Sequence, residues 1–131
     1  VLVVNGQFTA NTGLGIRFNG DTGSNYSVQV LDNNGSTPRA GVDSPITSFY
    51  GSWSATTSGT RYNNELHLFD YSASDRQKQV LYRNGYTDNG GTSRVSLFSG
   101  KWANNSAVTS ITLFATSMAS GFTFSLYGIA S

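Results

Sequence analysis

Tyr26-Ser27-Val28-Gln29-Val30 sets apolar residues at every second position, and Phe122-Thr123-Phe124-Ser125-Leu126-Tyr127 does the same near the other end of the chain. Side chains on a strand alternate between two faces, so this period belongs to antiparallel ribbons with one face on a core and one in water. Similar short runs recur at Val1–Phe8, Leu14–Phe18, Glu65–Tyr71, Gln79–Asn84, Arg94–Gly100 and Val108–Ala115. With the first two, placed at Tyr26–Leu31 and Phe122–Ile129, they total about eight strands, the number of a two-sheet jelly roll. Helical periodicity is nearly absent, and Val, Ile, Thr, Tyr and Phe supply the strands. The expectation is an all-β, jelly-roll-like antiparallel β-sandwich forming one domain over residues 1–131.

Between the runs lie residues that tolerate a positive φ: Asn19-Gly20-Asp21, Asn33-Asn34-Gly35, Asn84-Gly85 and Asn89-Gly90-Gly91. Ser36–Asn64 is different. It is long, rich in Ser, Thr and Gly, and carries both prolines, Pro38 and Pro45. It reads as an extended connection, with Ile46–Trp53 as a further strand or a helical turn inside it, and long connections in compact domains are often functional.

The chain has 131 residues and no Cys, so its stability comes from packing, without disulfides or thiolate metal sites. Charged residues make up 11% and the net charge is +1. The cations are dispersed among acids, where a nucleic-acid-binding face would gather them into a stripe. No stretch has the ~20 apolar residues of a membrane helix, and none reads as a signal peptide. The single Met is Met118 and the chain opens in a strand pattern, so the expectation is a piece of a longer protein.

Residues able to do chemistry are few. His67 is the only histidine and sits in a strand pattern, Glu65-Leu66-His67-Leu68-Phe69-Asp70, with no nucleophile-elbow signature elsewhere. Asp21, Asp32, Asp43, Glu65, Asp70, Asp75 and Asp88 include no evident glycosidase pair, and most stand beside turn formers. Asn19–Asn25 looks like a calcium loop but has one carboxylate, where calcium wants several, so a hydrogen-bonded turn is the better reading. The sequons at Asn25, Asn34 and Asn104 arise readily in so Asn- and Ser-rich a chain. No catalytic residue, cofactor site or metal site is assigned. The aromatic residues are more telling. Tyr50, Trp53, Tyr62, Tyr86 and Trp102 are the candidates for surface or interface binding, set against the alternative that such rings fill the core.

Four blocks together resemble a family of bacteriophage virion and tail proteins: Arg17-Phe18-Asn19-Gly20-Asp21-Thr22-Gly23-Ser24-Asn25-Tyr26-Ser27; Glu65–Tyr71 with Gln79–Arg83; Lys101-Trp102 through Ala107–Phe114; and Gly121–Ile129. The order is the family's, and the resemblance covers nearly the whole chain. It implies a non-enzymatic particle component, a tail-fibre or tip domain or a capsid decoration, located on the virion. Symmetric appendages need matching subunit patches, so the resemblance implies a homo-oligomer, with a trimer favoured, alongside other virion proteins and a host-surface glycan or receptor. Family members usually carry one more strand before the one that opens this chain. The alternative from another class is a free carbohydrate-binding module of a secreted protein.

Overall fold

A computed structural model describes residues 1–9, 12–33, 36–50, 59–87 and 91–129. Among these, ten strands form: β1 (Leu2–Gln7), β2 (Gly15–Phe18), β3 (Tyr26–Asn33), β4 (Pro38–Ile46), β5 (Phe49–Tyr50), β6 (Arg61–Phe69), β7 (Lys78–Thr87), β8 (Ser93–Trp102), β9 (Ile111–Phe114) and β10 (Thr123–Leu126). There is no helix among them. The strands make two antiparallel sheets, one of seven in the order β10-β1-β6-β7-β8-β3-β4 and one of three in the order β5-β2-β9. The molecule is a β-sandwich with two more strands than expected and very unequal layers.

The extra strands come from the segment expected to be a connection. β4 runs through Pro38 and Pro45, and β5 follows it. Proline lacks a ladder N–H and is tolerated where one side of a strand has no neighbour; β4 is the last strand of its sheet, so the composition that suggests a loop suits this edge. Asn84-Gly85, expected as a turn, lies inside β7. Gly85 N there donates to Asn63 Oδ1 across the ladder at 3.1 Å. Asn19 and Gly20 do take positive φ (51° and 67°), as the turn reading requires.

Alternation sorts the large sheet into two faces. Its inner face runs in rows across the strands, one of them Gly41, Val30, Phe98, Tyr82, Leu66 and Leu2. Tyr82 stacks on Phe98 at 4.5 Å, and Phe49 of the small sheet sits edge-on to both Tyr26 (5.0 Å) and Phe18 (5.5 Å). Gly100 makes room for that ring, because a Cβ there would stand 2.7 Å from both Phe49 Cε1 and Val80 Cγ2. The side chains of Phe8, Phe18, Phe49, Tyr26, Tyr82, Phe98 and Trp102 are all essentially buried.

β10 departs from its sequence reading. Phe124 and Leu126 share the core-facing side with Val4 and Leu2, yet they remain 44% and 70% exposed. The strand stands at the sheet edge, where alternation selects a face and does not supply a covering layer.

Candidate functional site

The Asn19–Asn25 turn has a structural task. Asp21 accepts hydrogen bonds from Gly23 N (2.8 Å), Asn25 Nδ2 (2.9 Å) and Trp102 Nε1 (2.7 Å). These donors, led by the Trp102 indole, hold its carboxyl below the ordinary Asp value. Asn19 Oδ1 accepts from Thr109 N and Ser110 N, while its Nδ2 donates to Ala107 O. The turn therefore pins the approach to β9, and the Asp21 carboxylate and Asn19 amide are committed to protein partners. Trp102 is 1% exposed, edge-on to Phe18 at 5.7 Å. It is a core residue, the alternative set beside its surface or interface reading.

The other ring candidates separate. Tyr62 and Tyr86 are register partners on the inner face, both buried, with the Arg94 guanidinium 6.0 Å from the Tyr86 ring centre. Burial pushes the Tyr62 hydroxyl well above the usual phenol range. Tyr50 is half-buried; its hydroxyl donates to Asp43 Oδ2 at 2.7 Å, and its ring meets Phe98 edge-on at 5.9 Å. Trp53 lies outside the described residues. Tyr62 and Tyr86 do contribute to a groove of about 780 Å³, whose other walls include Asn5, Gln7, Arg61, Asn63, Thr87 and Ser120. Its walls combine amides, hydroxyls and the Arg61 side chain with glycine backbone at Gly6, Gly59 and Gly121.

Beside Tyr62 and Tyr86, a polar row crosses the inner face: Asn64, Asn84, Ser96, Asp32 and Arg39 are successive register partners on five strands. Asp32 pairs with Arg39, accepts from Ser96 Oγ at 3.3 Å and lies 3.9 Å from Arg94. Among the described residues both polar atoms of the Asn84 side chain, and Asn64 Oδ1, have no hydrogen-bond partner although buried.

The outer face of the large sheet is divided. Around β1 and β6 it carries Asn5, Asn63, Glu65 and His67. Glu65 takes two bonds from Arg83 and one contact from His67 Nε2 at 2.7 Å, so His67 belongs to a partly exposed surface cluster. No group of three or more metal-ligating side chains occurs among the described residues. Across β7, β8, β3 and β4 the face gains exposed aliphatics among its polar residues. Leu81, Leu97, Leu31, Ala40 and Val42 border a shallow groove of about 560 Å³. Leu31 and Leu97 are direct register partners, as are Leu31 and Ala40. Leu31 is 61%, Val42 65% and Leu97 45% exposed, and Val95 beyond them is 68% exposed. Large aliphatics gathered on one open face mark a contact surface more often than scattered ones do. Sequence reasoning looked for rings and passed over these aliphatics. The signal was available in Leu31, Val42, Leu81, Val95 and Leu97 as the polar-phase positions of strands that are otherwise alternating.

No protein-family model, curated protein or solved structure matches this chain.

Proposed function

We propose that this protein is a structural module of a bacteriophage particle that acts by assembling with like subunits and virion partners through the outer face of its large sheet. The supporting observation is the cluster of exposed aliphatics Leu31, Val42, Leu81, Leu97 and Val95 over four adjacent strands, interspersed with Gln29 and Ser99. Leaving such side chains in water forfeits roughly 25 cal/mol per Å² of apolar area, which a protein contact recovers. The resemblance of the four sequence blocks to phage virion and tail proteins supports a setting in a tail fibre, tip or capsid decoration, with a ring of three copies as the favoured assembly. No catalytic role is proposed. The test is sedimentation across a concentration series. The wild type should show a concentration-dependent mass above one subunit, and Leu97→Arg should remain a monomer with a melting temperature close to wild type. A monomeric wild type at every concentration refutes the reading.

The polar groove favours a second reading, a sugar-binding module. Amides at Asn5, Gln7 and Asn63 line it and suit hydroxyl-rich ligands. On this reading an isolated monomer binds polysaccharide, and Arg61→Ala weakens that binding with the fold intact. A blank polysaccharide panel removes it.

A further inference from the structure

The edge strand β4 carries information that the outer-face patch alone does not. Pro38 and Pro45 bracket the run Arg39-Ala40-Gly41-Val42-Asp43-Ser44. Every residue of this run has a backbone N–H, and among the described residues β4 pairs only with β3. Among the described residues no strand pairs with the far side of the run, and a register shift against β3 falls only at its end, between Asp43 and Ile46; such open ladders are commonly blunted with charge, covering elements or a bulge. Here Arg39 and Asp43 stand on the inner-face side, opposite Asp32 and Val28, while Ala40 and Val42 stand on the outer face beside Leu31 and Gln29.

The run is complementary to itself. Reversed about Gly41, it sets Arg39 against Asp43, Ala40 against Val42, and Gly41 against its own copy. Opposite charges meet on one face, and a small side chain meets a branched one on the other; both are favourable cross-strand pairs. The charged pair is also held in place beforehand, since Arg39 already binds Asp32 and Asp43 already accepts from Tyr50 Oη at 2.7 Å. The same reversal joins the aliphatic patch of one subunit, through Ala40 and Val42, to that of the next.

We propose that β4 pairs antiparallel with β4 of a second copy of this chain about a two-fold axis at Gly41, merging the two large sheets into one. This rests on the self-assembly reading above and names its partner and register. The prolines at either end limit the ladder to about six hydrogen bonds, and the merged aliphatic patch supplies apolar contact. A two-fold of this kind coexists with a three-fold ring in a dihedral assembly.

The absence of cysteine makes the register directly measurable. Ala40→Cys and Val42→Cys are prepared as separate proteins, mixed in equal amounts and oxidised mildly. Directly opposite Cβ atoms lie about 4.5–5.5 Å apart, close to disulfide reach, whereas like positions across this axis lie diagonally about 7–8 Å apart. The mixture should give a disulfide joining the two different variants at least about tenfold more than either variant links to itself. Val42→Lys, at a position already 65% exposed, should keep the wild-type melting temperature and weaken association at least about tenfold. Association without the mixed disulfide, or with either variant linking mainly to itself, overturns the pairing and leaves the self-assembly reading standing. Preferential linking through Ser99→Cys on the open face would replace it with face-to-face stacking. A wild type that stays monomeric overturns both.

Discussion

Asp21 and Trp102 are 81 positions apart and share one hydrogen bond that ties the Asn19–Asn25 turn to the core. Replacing the indole removes a charged hydrogen bond and leaves a cavity beside Phe18 and Tyr26, so Trp102→Phe should cost at least about 1.5–3 kcal/mol in chemical denaturation. The sign of the pH dependence follows from the lowered Asp21 carboxyl. A carboxyl that titrates lower folded than unfolded contributes stability above the unfolded value, and this is lost as pH falls through the folded one. Stability should therefore drop on acidification below the ordinary Asp value of 3.8, and part of that drop should vanish in Asp21→Asn, read from melting curves between about pH 6 and pH 2. Local chemistry made the turn legible in the sequence: Asn19, Gly20 and Asp21 are turn formers wherever they occur together. The Trp102 partnership was not legible, since a ring that fills a core and a ring that lines an interface have the same composition. Asn84 teaches the opposite lesson. Asn-Gly reads as a turn, yet the ladder on both sides of β7 overrides that local preference and carries the amide into the interior. Its side chain lacks partners there among the described residues, so Asn84→Leu should unfold at equal or higher denaturant concentration than wild type, the desolvation cost of the buried amide having been removed.

At the scale of elements, the small sheet docks on the large one where Gly100 leaves a hollow for Phe49. Ala at that position crowds both Phe49 and Val80, so Gly100→Ala should destabilise by about 1–3 kcal/mol, measured by equilibrium unfolding. β7 and β8 are flanked on both sides and β4 on one. Amide exchange should accordingly be slowest in β7 and β8, and β4 should gain protection as protein concentration rises if it pairs with a second copy. Strands with one dry and one wet face could be recognised from alternation. β4 could not, because its prolines and small polar residues are those of a loop until the open side of the strand is known. β10 shows the same limit from the other direction: its alternation is clear, and its position at the edge leaves Phe124 and Leu126 exposed all the same.

For the whole molecule, the consequence of a seven-strand sheet facing a three-strand one is a large area of sheet whose outer side must be polar or be covered. Around β1 and β6 it is polar; across β7, β8, β3 and β4 it carries exposed aliphatics. That imbalance is what makes association the expected behaviour. The amino-acid sequence by itself determined the class of fold, the positions of most strands and the chemistry of the first turn, because alternation and turn preference act over a few neighbouring residues. The tertiary structure alone decided which rings are buried, which strands end the sheet and which aliphatics gather on one face. Those outcomes depend on pairings between residues far apart in the chain, such as Leu31 with Leu97 and Asn64 with Asn84, and no local pattern specifies a partner.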